Sequence, residues 1–113
     1  MKIDDYAQQA ITTLSSDYAY GDANAQLMGM VLGLGGESGE VLEKFKKLLR
    51  DQQGEITEVD KQAIIKELGD ILWYVTAVAH LLGSSLEEVA RCNNAKLASR
   101  QQRGQLRGSG DDR

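Results

Sequence analysis

Two pairs of acidic residues lie at helical spacing in this sequence, each within an apolar segment. Glu37 and Glu40 form the first pair, and Glu67 and Asp70 form the second. Because residues three apart project from the same face of an α-helix, the carboxylates of each pair lie one turn apart. Two such helices packed side by side bring four carboxylates together beside a core, where they stay ionised only if a cation compensates them. The sequence therefore predicts a divalent-metal site.

The residue types at this predicted site favour Mg²⁺, with Mn²⁺ as a substitute, because both ions take oxygen ligands. A di-iron centre in a helical bundle usually adds histidines in Glu-x-x-His motifs. The single histidine, His80, has no glutamate three residues before it. The alternative to a metal site is that both pairs belong to solvated helix surfaces.

A second candidate site lies near the C-terminus. Asn93, Lys96, Arg100 and Arg103 follow one another at i, i+3, i+7 and i+10, so a helix would place them on one polar, mostly cationic face. Such a face can bind phosphate oxygens through charge-assisted hydrogen bonds. The spacing is equally compatible with a solvated basic stripe.

The distribution of charge also favours a polyphosphate ligand. Residues 1–90 contain 7 Lys and Arg against 15 Asp and Glu, whereas residues 91–113 contain 6 against 2. An acidic body with a basic C-terminal segment suits a ligand that needs metal and cationic side chains together. It argues against a protein that binds duplex nucleic acid, which would carry a larger basic face.

Four helices are predicted to position these residues, and no strand is expected in a chain without proline and rich in helix formers. We expect residues 1–103 to form one all-α four-helix bundle and residues 104–113 to form a flexible polar tail. The first helix is predicted to run from Asp4 to about Tyr18. The second is predicted to be capped by Asp22 and to end near Leu49 or Arg50, and the third to be capped by Thr57 and to end near Leu82. The fourth is predicted to be capped by Ser84 or Ser85 and to end near Gly104.

Glycines are concentrated in the middle of the second helix, where each costs roughly 0.5–1 kcal/mol relative to alanine. They surround the first carboxylate pair, and they are Gly29, Gly33, Gly35, Gly36 and Gly39. Their presence predicts that a ligand approaches the helix closely there. A tight helix crossing without a ligand is the alternative.

The motifs together resemble those of MazG-like, all-α nucleoside triphosphate pyrophosphohydrolases, particularly the short single-domain type found in bacteria and phages. The resemblance covers nearly the whole chain. The matching segments are Asp5-Tyr6-Ala7-Gln8, Gly35-Gly36-Glu37-Ser38-Gly39-Glu40, Glu67-Leu68-Gly69-Asp70-Ile71-Leu72-Trp73-Tyr74, Asn93-Asn94-Ala95-Lys96-Leu97-Ala98-Ser99-Arg100 and Gly108-Ser109-Gly110-Asp111.

This resemblance implies Mg²⁺-dependent cleavage of a nucleoside or deoxynucleoside triphosphate to the monophosphate and pyrophosphate. It also implies assembly as a homodimer or homotetramer that completes the bundle. The implied metal ligands are Glu37, Glu40, Glu67 and Asp70. The implied substrate-binding residues are Lys96, Asn93, Arg100 and Tyr74, of which Tyr74 is nearly as plausible as a buried core residue.

One departure from the family pattern affects the predicted chemistry. Many relatives have Glu-Glu-x-x-Glu in the first motif, and Gly36 occupies the leading position here. The missing carboxylate removes a candidate metal ligand or base, so Glu37 and Glu40 remain as candidate catalytic residues that accept a proton from water. The alternative function is a helical oligomerisation or regulatory module that binds nucleotide without turnover.

The remaining features of the sequence predict a cytoplasmic protein with no membrane partner. No segment approaches the ~18 apolar residues of a membrane span. The N-terminus lacks the apolar region of a signal peptide. A single cysteine, Cys92, excludes an internal disulfide and fits a reducing compartment.

Overall fold

The computed structural model describes residues 1–14 and 23–113, and the described residues form four α-helices and no strand. The helices are α1 (Ile3–Ile11), α2 (Ala23–Gln52), α3 (Glu58–Leu81) and α4 (Leu86–Gln102). The predicted all-α class is confirmed. Within the described residues, no helix is long and apolar enough to cross a membrane.

The predicted caps of α3 and α4 are confirmed. The Thr57 hydroxyl accepts a hydrogen bond from the Asp60 backbone N–H, and the Asp60 carboxylate accepts one from the Thr57 N–H. This reciprocal pair satisfies N–H groups that the first turn of a helix leaves unpaired. Ser85 caps α4 by accepting a hydrogen bond from the Glu88 N–H, and Gly83, at φ +73°, separates the two helices.

Helix α1 is shorter than predicted: it ends at Ile11, before the predicted end near Tyr18. The hydroxyls of Thr12 and Thr13 donate to the carbonyl oxygens of Gln9 and Ala10, and such local bonds compete with continued helix. Residues 15–18 of the predicted first helix and the predicted cap Asp22 lie outside the described residues.

Helices α2 and α3 form an antiparallel pair, which is the largest packing contact between elements. At one end of the pair, Gly33 of α2 lies against the ring of Tyr74 on α3. A methyl group built at Gly33 would lie 2.2 Å from Cε1 of Tyr74. At Gly33 the close neighbour is therefore an aromatic ring of the same chain, which is the tight helix crossing given as the alternative; approach of a ligand to this part of α2 stays a prediction.

Helices α1 and α4 pack against α3 and against each other. The Trp73 indole N–H of α3 donates to the Ala10 carbonyl oxygen, at 3.2 Å, and to the Thr13 hydroxyl, at 2.7 Å. These bonds fix the end of α1 to the middle of α3. The α3 face that carries Trp73 thus anchors the N-terminal helix.

The core of a single chain is small. Among the residues that the structure describes, the buried apolar side chains are Ala10, Met30, Leu48, Ala77, Ala79 and Leu86. The radius of gyration is 17.0 Å, against about 13 Å for a compact chain of this length. Several large apolar side chains on α2 and at the start of α3 are largely exposed: Leu32 (77 %), Leu42 (71 %), Leu49 (72 %) and Val59 (79 %).

Residues after α4 form turns that arginine side chains hold in place. The Arg113 guanidinium donates to the carbonyl oxygens of Gln105, Leu106 and Gly110, and Arg103 donates to the Arg113 carbonyl oxygen. Whether this segment is flexible in solution, as the sequence predicts, stays a prediction.

Candidate metal and nucleotide site

The antiparallel pairing of α2 and α3 brings three of the four predicted carboxylates together. One oxygen each from Glu37, Glu67 and Asp70 lies within 4.8 Å of the other two. Glu67 and Asp70 are one turn apart on α3, and Glu37 faces them from α2. We call these three residues the acidic cluster.

The proximity of the three carboxylates changes the proton affinity of Glu37. Partial burial of this side chain raises its pKa, and the negative charges of Asp70, Glu67 and Glu40 raise it further. A raised pKa means that the surroundings of Glu37 disfavour its ionised form. The acidic cluster therefore favours the approach of a cation.

Glu40, the fourth predicted ligand, lies outside the group of three, although its charge contributes to the raised pKa of Glu37. It is exposed one turn after Glu37 on α2. Its assignment as a ligand stays a prediction, and its position beside the acidic cluster also suits a group that accepts a proton from water.

The donor set of the acidic cluster fits a hard divalent cation. Its oxygens are all carboxylate oxygens, which Mg²⁺ and Mn²⁺ prefer, and it contains no histidine or cysteine. Three protein ligands leave further coordination positions for water or phosphate oxygens.

One cation of the chain already contacts the acidic cluster. The Nζ atom of Lys44 lies 3.6 Å from Oε1 of Glu67, so this ion pair joins α2 to α3. Both side chains are partly exposed, at 36 % and 22 %. Lys44 is not among the site residues predicted from the sequence, although its spacing of four residues from Glu40 places it on the same helix face.

An aromatic cavity adjoins the acidic cluster on the side of the α2 N-terminus. It has a volume of about 570 Å³, and its lining includes Met28, Gly33, Trp73 and Tyr74. The two rings meet edge to face, with centroids 5.0 Å apart. Because Gly33 precedes Glu37 by one turn and Tyr74 follows Asp70 by one turn, the cavity begins one helical turn from the carboxylates.

Tyr74 lines this cavity and also packs on Gly33. Its binding of substrate stays a prediction. Trp73 is not among the site residues predicted from the sequence. The available signal was its place beside Tyr74 at the end of the second acidic motif.

The predicted phosphate-binding residues of α4 are not part of the acidic cluster. Asn93 and Lys96 line a separate groove together with Leu72 and Val75 of α3. Lys96 Nζ lies 3.1 Å from the Asp111 carboxylate in the C-terminal segment.

Arg100 lies beneath the C-terminal segment and is only 5 % exposed. Its Nη2 atom donates to the carbonyl oxygens of Asp111, at 2.8 Å, and Gly110, at 3.5 Å, and lies 3.3 Å from the Asp111 carboxylate. Lys96 and Arg100 hold the pKa of Asp111 below its usual range. Arg100 would reach a phosphate only after this segment moved.

Space around Gly36 is open, since a methyl group built there would meet no atom within 4 Å among the described residues. The position therefore has room for the carboxylate that many relatives carry. No packing constraint explains the glycine.

Comparison with known proteins identifies the family. Residues 26–104 match the MazG nucleotide pyrophosphohydrolase domain, a span that includes the acidic cluster, both rings of the aromatic cavity and Lys96. The chain is also similar to the Gene 37 protein of Mycobacterium phage L5, with 44 % identity over 92 residues that cover 81 % of each chain. No solved structure matches this chain significantly. The chain belongs to the family of MazG nucleotide pyrophosphohydrolase domains, whose activity is directed at nucleotides.

Proposed function

We propose that this protein is a Mg²⁺-dependent pyrophosphohydrolase that converts a nucleoside or deoxynucleoside triphosphate to the monophosphate and pyrophosphate. The observation that carries this proposal is the acidic cluster, in which carboxylates of both family motifs converge within 4.8 Å. Mn²⁺ is expected to substitute for Mg²⁺, because the ligand atoms are all oxygens.

In this proposal Glu37, Glu67 and Asp70 hold the metal, and Glu40 completes the set directly or through a water. Bound Mg²⁺ would polarise phosphoryl oxygens and lower the pKa of a coordinated water. Glu40, exposed beside the acidic cluster, would accept a proton from the water whose oxygen bonds to the α-phosphorus. The bond between the α-phosphorus and the bridging oxygen breaks, and the electron pair leaves with pyrophosphate.

The aromatic cavity is the proposed binding site for the nucleoside. Its volume, about 570 Å³, lies within the range of pockets that bind small molecules. Trp73 and Tyr74 offer aromatic surfaces against which a base can stack. The base specificity depends on the polar groups around such a cavity, and a nucleotide panel is the way to determine it.

Lys96 and Asn93 are proposed to bind phosphate, and Arg100 to bind phosphate after the C-terminal segment that carries Asp111 has moved away from it. In a single chain these residues line a different groove from the acidic cluster. A homodimer or homotetramer is proposed to cover the exposed apolar residues of α2 and α3, consistent with the small core of one chain.

The test is release of pyrophosphate from a panel of nucleoside and deoxynucleoside triphosphates, with Mg²⁺, with Mn²⁺ and with chelator. We expect release from at least one nucleotide, loss of release with chelator, and recovery on addition of either metal. Binding of nucleotides without turnover across the panel would support the alternative, a regulatory or oligomerisation module, and would contradict the proposal.

A further inference from the structure

Lys44 occupies a particular place relative to the acidic cluster. It follows Glu37 and Glu40 on the same face of α2, at i, i+3 and i+7. Its contact with Glu67 is the one ion pair between two helices within the described residues. The proposed metal site thus has a cation of its own, attached to one of the proposed ligands.

A groove opens beside this ion pair. It has a volume of about 430 Å³, and its charged or polar lining residues are Lys44, Glu58, Gln62, Lys66 and Glu67. The charges of Lys44, Glu58, Lys66 and Glu67 in this lining sum to zero. If Glu67 is committed to a metal ion, the three that remain carry a net charge of +1, which favours an anion.

The groove and the aromatic cavity lie at opposite ends of the acidic cluster. Along α2 the order is Gly33 in the cavity, Glu37 in the cluster and Lys44 in the groove. At 1.5 Å per residue, Lys44 lies about 10 Å further along the helix than Glu37. A nucleotide with its base in the cavity therefore points its terminal phosphates towards Lys44.

We propose that Lys44 binds the β- and γ-phosphates, the part of the substrate that leaves as pyrophosphate. When metal binds, the Lys44 ammonium leaves the Glu67 carboxylate and pairs with these phosphates instead. This inference rests on the proposed function, because it takes the acidic cluster as the metal site. It adds a substrate-binding residue and a direction for the substrate along α2.

The exchange is feasible because the ion pair is partly exposed, and such pairs contribute little to stability. The lysine ammonium has three donors on a flexible stem, so it can turn from a carboxylate to a phosphate oxygen without movement of the backbone. In the metal-free protein the same ammonium offsets the negative charge of the acidic cluster.

The first arm of the test measures Mg²⁺ binding by titration calorimetry without nucleotide, for Lys44→Met and the matched control Lys46→Met. Lys46 lies on the same helix but pairs with the exposed Glu43 away from the cluster. Removing the positive charge of Lys44 should tighten Mg²⁺ binding about three- to tenfold, because the two cations repel each other at a separation of several ångströms. The control should bind Mg²⁺ like the wild type.

The second arm measures the binding of inorganic pyrophosphate in the presence of saturating Mg²⁺. Lys44→Met should weaken it about ten- to a hundredfold, as expected for the loss of one charge-assisted contact. Lys44→Arg keeps the charge and should retain most of the affinity. The control Lys46→Met should leave pyrophosphate binding unchanged.

The two arms give opposite signs, tighter metal and weaker pyrophosphate, which a merely structural ion pair does not predict. Weaker Mg²⁺ binding in Lys44→Met, or unchanged pyrophosphate binding, would overturn the inference. Absence of nucleotide turnover in the wild-type protein would instead contradict the proposed function, while the two binding arms would still decide the role of Lys44.

Discussion

At the scale of single residues, the negative charges of the acidic cluster repel one another, and this repulsion bears on the stability of the metal-free fold. The pKa of Glu37 is raised by its partial burial and by the neighbouring carboxylates. Since the folded-state pKa is the higher one, ionised Glu37 destabilises the metal-free fold at neutral pH. That penalty is relieved as the pH falls through the raised pKa.

This linkage predicts the effect of Glu37→Gln on the metal-free protein. The variant should melt at a higher temperature than the wild type at pH 7, because the substitution removes the repulsion. The difference should shrink as the pH falls through the raised pKa and vanish at about pH 3, below the ordinary pKa of glutamate, where the carboxyl is protonated in both states. Thermal melts in chelator across this range measure it, and Glu55→Gln, in the exposed loop before α3, is the control. A variant less stable than the wild type at pH 7 would contradict the prediction.

Lys96 gives a second prediction at this scale. If it binds phosphate, Lys96→Ala should raise KM about ten- to a hundredfold, corresponding to roughly 1.5–3 kcal/mol for one charge-assisted bond. Lys61→Ala, which removes an exposed lysine near the start of α3, should leave KM unchanged. Steady-state pyrophosphate release with both variants decides the matter, and equal KM values would remove Lys96 from the site.

At the scale of helices, Gly33 is a glycine that the packing of α2 against α3 requires. A side chain at this position meets the Tyr74 ring, whereas Gly35 has no atom within 4 Å of a built methyl group among the described residues. Gly33→Ala should therefore lower stability by about 1–3 kcal/mol through forced movement of the ring. The control Gly35→Ala should raise stability by up to about 1 kcal/mol through helix propensity.

Denaturant unfolding of both variants tests this prediction. Equal effects of the two substitutions would show that the Gly33–Tyr74 contact does not constrain the helix pair. Gly33→Ala should also raise KM for the nucleotide, because a displaced Tyr74 changes the aromatic cavity.

The sequence predicted helix starts better than it predicted contacts between helices. Caps such as Thr57 with Asp60 and Ser85 with Glu88 are local, so spacing alone located them. The end of α1 depends instead on local threonine bonds, and Trp73 of a distant helix then docks there. Likewise, i,i+3 spacing paired Glu67 with Asp70, while the membership of Glu37 and the separate position of Glu40 depend on the register of α2 against α3.

The C-terminal residues show the same limit. Spacing placed Lys96 and Arg100 on one helix face, and both do lie beside Asp111. Burial of Arg100 under the segment that follows depends on how that segment turns back, which helical periodicity does not encode. The partner of Arg100 is therefore a finding of the structure.

At the scale of the whole molecule, one chain leaves too much apolar surface exposed. The radius of gyration of 17.0 Å exceeds the value of about 13 Å for a compact monomer. We expect light scattering at micromolar concentration to give a multiple of the 12.4 kDa chain mass. A single species of 12.4 kDa would contradict the proposed oligomer.

Leu42→Lys should shift that mass towards the monomer, because Leu42 is largely exposed in one chain and is proposed to be covered in the assembly. Leu106→Lys, at an exposed leucine of the C-terminal segment, is the control. A mass unaffected by Leu42→Lys would exclude Leu42 from the interface.

The central claim is that the acidic cluster holds the catalytic metal, and Asp70→Asn tests it most directly. This change keeps the side chain's shape and removes one charge from the cluster. The decisive measurement is pyrophosphate release as a function of Mg²⁺ concentration, with Asp51→Asn, at the end of α2 and outside the cluster, as the control. We predict that Asp70→Asn loses most turnover and requires more Mg²⁺ for what remains, while the control follows the wild type. A wild-type Mg²⁺ response in Asp70→Asn would contradict the assignment of the metal site.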